Sequence, residues 1–275
     1  MDDCHTFQLT SADGTKLFAR HWEATGGRAT LVLVHGFGEQ SGRYSHFGQH
    51  LSDNGVDVFA VDLRGHGRSE GKRGVVRSYD DFRADLAALL DFVRGRAPAR
   101  PVVLFGHSMG GGIVLDHALS PDPILSGIIA SAPLIRPIPA VSPVQRKLVT
   151  FVSKLLPGAS MKNSISGAQI SSVPAEQIAY AEEPLGHDRL GLRTAVALVE
   201  AGEAIERRAA EIGLPVLMIH GREDQLTDFA ASEAVGRAIP DAEFRAFDRV
   251  QHELHNDTSR DAVYRAVLDF IGRLS

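Results

Sequence analysis

The 275-residue sequence holds one cysteine, Cys4, so an internal disulfide is excluded. A lone thiol suits a reducing compartment. No apolar run approaches the roughly 20 residues that a membrane-spanning helix needs. The opening residues, Met1-Asp2-Asp3-Cys4-His5, are acidic and lack the apolar stretch of a secretory leader, so a cytoplasmic setting is expected. The formal net charge of −5 argues against a nucleic-acid partner, which requires a basic footprint. There is no internal repeat and no low-complexity tail. One further absence is local. From Arg136 to Ala175 there is no aspartate or glutamate, although Arg136, Arg146, Lys147, Lys154 and Lys162 are present.

What remains is an ordinary globular composition, 44% hydrophobic and 23% charged, which permits a full core. Asp13-Gly14, between Phe7–Leu9 and Lys16–Trp22, signals an opening hairpin. Thr30–Val34 and Val56–Val61 are apolar runs of buried-strand type. Between them Tyr44, Phe47 and Leu51 follow helical spacing up to Gly55. Tyr79, Phe82, Leu86, Leu89, Leu90 and Val93 mark an amphipathic helix, with Ser78 and Asp81 as its expected cap. Leu125–Ala130, Pro215–Ile219 and Glu243–Phe247 read as further strands. Helices are expected near Phe229–Ala238 and over the last residues, where Val263, Val267, Ile271 and Leu274 form the buried face. Alternating strands and helices predict an α/β fold with a mostly parallel, doubly wound sheet.

The rhythm breaks over residues 136–210, which are rich in proline and offer no clear strand. We expect an inserted, mainly helical cap there, on a core domain formed by residues 1–135 and 211–275. Val144, Leu148, Phe151, Val152 and Leu155 line one face of a cap helix. The simpler reading buries that face on the core. The competing one docks a basic amphipathic helix on an anionic lipid surface.

The chemistry centres on Pro101–Gly112, PVVLFGHSMGGG. An apolar strand runs into Gly106-His107-Ser108-Met109-Gly110, and a helical pattern follows. This is the strand-turn-helix setting of the G-x-S-x-G nucleophile elbow, whose glycines keep side chains out of the turn. Gly67-Arg68-Ser69-Glu70-Gly71 also fits the pattern, but it lies in a polar loop, and Ser69 is read as a loop serine. A serine nucleophile needs a histidine base and an orienting carboxylate, expected in the order Ser, Asp or Glu, His. Asp224 follows the strand Pro215–Ile219. Its competitors are Glu223 and Asp228, and Asp228 reads as a helix N-cap. His252 and His255 follow the next strand, and either could be the base. His255 lies beside the expected start of the last helix, whose dipole would disfavour imidazolium. His107 and His220 border strand ends as supporting residues, and His35 shapes its own loop. Two backbone donors are expected for the oxyanion: the amide of Met109 and, in the loop His35-Gly36-Phe37-Gly38, that of Phe37.

Val34-His35-Gly36-Phe37-Gly38-Glu39-Gln40-Ser41-Gly42-Arg43-Tyr44, Asp62-Leu63-Arg64-Gly65-His66-Gly67-Arg68-Ser69 and the Ser108 elbow, with the Asp224 and His252 loops, together resemble the monoacylglycerol lipase and lysophospholipase branch of the α/β-hydrolase superfamily. The resemblance implies an α/β-hydrolase fold. It places nucleophile, carboxylate and base on Ser108, Asp224 and His252, with Phe37 and Met109 at the oxyanion positions. It also implies a lipid-like ester substrate, a monoacylglycerol or lysophospholipid, with no cofactor and no metal. Two departures stand out: Gln40 replaces a common histidine, and Glu182-Glu183-Pro184-Leu185 only approximates the family's acidic-Pro-Leu segment. An aminopeptidase or amidase on the same fold is the nearest alternative. It would need a cap carboxylate for an ammonium group, and Glu176, Glu182, Glu183 and Asp188 are available. A non-catalytic binding module is more remote, since no member of the triad is missing. A zinc site is disfavoured because His252-Glu253-Leu254-His255 spaces its histidines by three, not four.

Overall fold

The computed structural model describes residues 4–96 and 100–274, so the reading of Met1-Asp2-Asp3 lies outside the described residues. Strands β1 (His5–Thr10) and β2 (Lys16–Trp22) form the expected hairpin, and Gly14 in its turn has φ +89°. The chain continues through β3 (Ala29–Val34), α1 (Ser45–Asp53), β4 (Val56–Val61) and α2 (Asp80–Arg94). Next come β5 (Val102–His107), α3 (Met109–His117) and β6 (Leu125–Ser131). The connection onward contains α4 (Pro143–Leu155), β7 (Ser160–Lys162), α5 (Gly167–Ile170), α6 (Pro174–Ala181), β8 (Arg189–Gly191) and α7 (Leu192–Arg208). The chain closes with β9 (Val216–Gly221), α8 (Phe229–Ala238), β10 (Ala242–Phe247) and α9 (Arg260–Leu274).

The main sheet has the order β1-β2-β4-β3-β5-β6-β9-β10. Only the β1–β2 and β2–β4 pairs are antiparallel; the other five are parallel. Every residue of β3, β4, β5 and β9 is buried, because helices cover both faces. Alternation divides the strands between two cores. Val32, Val34 and Leu104 point to a core shared with α2, α3, α7 and α8, whereas Leu31, Leu33 and Phe105 point to one shared with α1 and α9.

Three details differ from the sequence reading. The Ser78 side chain does not cap α2. The Asp81 carboxylate accepts the Arg77 amide at 2.7 Å and binds the Arg77 guanidinium, so an ion-pairing partner replaces the capping box. The β6–β9 connection does contain strands, the antiparallel pair β7–β8. At three residues each, they are too short to carry a periodic signal. On α4, Val144, Leu148, Phe151 and Leu155 are exposed rather than buried on the core. The helix packs on α7 through its other side, where Ser153 is buried and its carbonyl accepts from Arg193 at 3.1 Å.

Candidate active site

Four loops leave the carboxyl ends of β3, β5, β9 and β10, the edge where such sheets present their ligands. They bring together the expected residues.

Ser108 sits between β5 and α3 with φ +53° and ψ −117°, a left-handed conformation that non-glycine residues rarely adopt. Its neighbours are glycine for steric reasons. A Cβ on Gly106 would lie 2.2 Å from the Gly110 carbonyl oxygen, and one on Gly110 would lie 2.1 Å from that of Val34. The strain is held in place by hydrogen bonds from the Ser108 amide to Ser131 O at 2.9 Å and from the Leu134 amide to Ser108 O at 2.8 Å. Ser69, by contrast, is tied into its loop: its hydroxyl donates to Asp62 O and accepts the Phe18 amide at 2.8 Å.

Asp224 is buried, and its carboxylate is fully engaged. Oδ1 accepts the amides of Leu226 and Thr227 at 2.7 and 3.1 Å. Oδ2 accepts His252 Nδ1 at 2.7 Å, Thr227 Oγ1 at 2.8 Å and His220 Nε2 at 3.0 Å. Burial alone would raise its pKa, but the charge of His252 and the bonds from His220 and His252 hold it well below the usual carboxylate range. Because that carboxylate only accepts, His252 Nδ1 carries a hydrogen, and in the neutral ring Nε2 is left with the lone pair. Asp224 in turn raises the His252 pKa against the opposing effect of burial.

His255 has a different environment. Its ring stacks on Tyr44 with centroids 4.5 Å apart, and both ring nitrogens are buried without partners. Burial lowers its pKa to about 4. The cause is burial rather than a helix dipole, since α9 begins only at Arg260. Glu223 is exposed, and Asp228 caps α8 by accepting the amides of Ala230 and Ala231. His107 packs against the rings of His252 and His255 at 4.6 and 5.1 Å. His35 shapes its loop: its Nδ1 bonds to Gly36 O at 2.7 Å, and its Nε2 accepts the Leu63 amide at 3.0 Å.

Ser108 and His252 open onto one cavity of about 180 Å³, walled by Phe37, Leu134, Ile138, Ile165, Leu198 and Leu226. Among the described hydrogen bonds none joins Ser108 directly to His252. Met109 is the first residue of α3, so its amide has no acceptor within that helix. The Phe37 amide has no acceptor among the described bonds. A second apolar cavity of about 180 Å³ shares Leu134, Pro137, Leu190 and Leu198 with the first. A polar cavity of about 340 Å³ shares Glu39, Asn163, Ile165 and Tyr180 with it.

Sequence reasoning missed the charge cluster at the cavity edge. Arg43 Nη2 bonds to Glu253 Oε2 at 2.6 Å, and Arg43 Nε lies 3.5 Å from Glu39 Oε2. Tyr44 donates to Glu39 Oε1 at 2.7 Å. Burial, reinforced by Glu253, pushes the Glu39 pKa up to about 7. The Glu39–Arg43 spacing of four residues was a signal for part of this; Glu253 gave none, arriving from 210 positions away. Among the described residues no group of three or more His, Cys, Asp or Glu is arranged to hold a metal ion.

Sheet topology, elbow and loop positions define an α/β hydrolase. The family model for serine aminopeptidase S33 matches residues 26–259, and the chain belongs to that family. It is 34% identical over 247 residues to a monoacylglycerol lipase of Mycolicibacterium smegmatis, covering 89% of this chain and 88% of the relative. It is 34% identical over 257 residues to the monoglyceride lipase of Rattus norvegicus, covering 90% and 84%. The crystal structure of Paleococcus ferrophilus monoacylglycerol lipase superimposes with a TM-score of 0.85 at 28% identity, covering 94% of this chain and 99% of that one.

The neutral burial of His255 sets a pH dependence. Its folded pKa, about 4, lies below the unfolded value near 6.5. As pH falls through that interval, the unfolded chain takes up a proton that the folded one refuses, so stability is lost from about pH 6.5 down to about pH 4. Urea midpoints measured across this range should fall for the wild type and fall less steeply for His255→Phe. Parallel slopes would contradict the assignment.

Proposed function

We propose that this chain is a serine hydrolase that cleaves carboxylic esters of lipid-like substrates, monoacylglycerols first and lysophospholipids next. The observation that carries the reading is the 2.7 Å bond from His252 to a buried, ionised Asp224, with His252 and the strained Ser108 facing one apolar cavity. Ser108 Oγ attacks the ester carbonyl carbon while His252 Nε2 takes its proton. The amides of Met109 and Phe37 receive the negative charge that develops on the carbonyl oxygen. Collapse of the tetrahedral adduct breaks the bond to the alcohol, which leaves with the proton held by His252. Water then attacks the acyl-serine by the same route and frees the acid and Ser108.

We read residues 136–210 as a cap on a core of residues 1–135 and 211–275. Ile138, Ile165, Ile170, Tyr180 and Leu190, all from that stretch, wall the cavity above Ser108. The two neighbouring apolar cavities suit an acyl chain, and the polar one suits a hydroxylated head group. The exposed face of α4, with Lys147 and Lys154 nearby, suits contact with a lipid surface. No helix among the described residues is long and apolar enough to cross a membrane.

A second reading, amide hydrolysis, has one observation in its favour. Glu39 and Glu253 share the single guanidinium of Arg43, leaving carboxylate in excess near the cavity. Of the cap carboxylates that the sequence offered, Glu176 binds Arg260 at 3.2 Å and Asp188 lies 3.5 Å from Lys162, whereas Glu183 lines the polar cavity.

A fluorophosphonate should label the wild type at Ser108 and leave Ser108→Ala unlabelled. In a panel of monoacylglycerols, lysophospholipids, short esters and aminoacyl amides, the monoacylglycerols should turn over fastest. Labelling that survives in Ser108→Ala removes the nucleophile, and a preference for the amides replaces the ester reading with the amide one. For α4, the double substitution Leu148→Ser and Phe151→Ser should weaken partitioning onto anionic vesicles about fivefold or more. Unchanged partitioning would show that this face serves another purpose.

A further inference from the structure

The loop that carries the Phe37 amide is held from two directions. Its base is fixed by the core, through His35 and through the bond from the Gly36 amide to the Glu39 carboxylate. Its tip is fixed by the β6–β9 connection. The His187 amide donates to Gly38 O at 2.9 Å. Gly38 has φ +77°, and a Cβ there would lie 2.5 Å from the His187 carbonyl oxygen, so the two backbones touch directly. The Phe37 ring meets the ring of His187 nearly perpendicularly, at 5.3 Å and 83°, and that of His66 at 5.6 Å and 83°. His66 and His187 lie 4.6 Å apart.

Both histidines behave as neutral packing groups. His187 Nδ1 accepts the Arg189 amide at 3.3 Å, and His66 Nδ1 bonds to Arg64 O at 3.0 Å. The Nε2 atoms of both rings are buried, and that of His66 has no partner among the described bonds. Burial lowers the His187 pKa to about 4, with Arg73 and His35 adding to the effect and a backbone hydrogen bond to Gly65, then Asp188, opposing it.

We propose that His187 is a positioning residue for the oxyanion. Its ring backs Phe37 and so fixes the direction of the Phe37 amide. This rests on the hydrolytic reading of Ser108 given above. The polypeptide that covers the site would then also complete it, since one of the two oxyanion donors is set by a residue outside the sheet and its own loops.

The test compares His187→Ala and His187→Phe in the full chain, using p-nitrophenyl butyrate as substrate and an alkyl boronic acid as a tetrahedral-adduct mimic. His187→Ala leaves space behind Phe37 and should lower kcat about tenfold or more. KM should stay within about twofold, and boronate affinity should fall by the same factor as kcat. His187→Phe restores the ring and should recover both to within about threefold of wild type at neutral pH. If near-UV circular dichroism shows that the alanine variant does not fold, His187→Leu takes its place with the same expectations. Wild-type kcat and boronate affinity in the alanine variant would overturn the proposal, as would a phenylalanine variant no better than alanine. The wild type and Ser108→Ala are assayed alongside. Ester turnover that Ser108→Ala abolishes keeps the hydrolytic reading intact whatever His187 does, so the two failures stay distinct.

Discussion

The close approach of α3 to the ends of β3 and β5 is the constraint on which the site depends. No side chain fits between Gly110 and the Val34 carbonyl, or between Gly106 and Gly110. That contact forces the chain through a tight turn at Ser108 and accounts for its positive φ. It also sets the first turn of α3, with its free Met109 amide, beside the loop that begins at His35. Ser108 and the Met109 and Phe37 amides are thus positioned by backbone packing, before any side-chain hydrogen bond is considered.

Charge completes the arrangement. Asp224 is buried and ionised because five donors converge on it, and this is what fixes the tautomer of His252. His255, three residues along, is equally buried but has no carboxylate partner, so it stays neutral and packs as an aromatic ring. The same physics separates Glu39 from Glu253. The latter is held low against burial by its 2.6 Å bond to Arg43 and its bond from Asn256, while Glu39, with the longer contact, is pushed up.

The legible part of this molecule was the part written in local pattern. Fully buried strands show as apolar runs, and the elbow, the Asp224 loop and the order of the three groups follow from strand-by-strand topology. Residues did not by themselves separate His252 from His255. The separation came from family resemblance, and its physical basis is tertiary, namely which ring reaches Asp224 and which is enclosed by Tyr44 and Phe47. The α4 face illustrates another limit. Its spacing revealed an apolar stripe, but amphipathicity does not say whether a stripe faces a core or the outside, and here it faces outside. Arg43–Glu253 and Phe37–His187 were invisible because each joins segments far apart in the chain, with no composition signal linking them. Residues 136–210 hold helices α4 to α7, and their short β7–β8 pair lies below any periodicity.

Division of labour follows from this layout. The sheet edge brings Ser108, Asp224 and His252 to one cavity, while the 136–210 stretch walls the cavities and, through His187, touches the loop that carries Phe37. The central claim is that turnover passes through an acyl group on Ser108. Rapid acid quench during hydrolysis of a monoacylglycerol, followed by peptide mass spectrometry, tests it most directly. A transient mass increase equal to the acyl group is expected on the peptide containing Ser108. Turnover with no adduct, or an adduct confined to another residue such as Ser69, would contradict it.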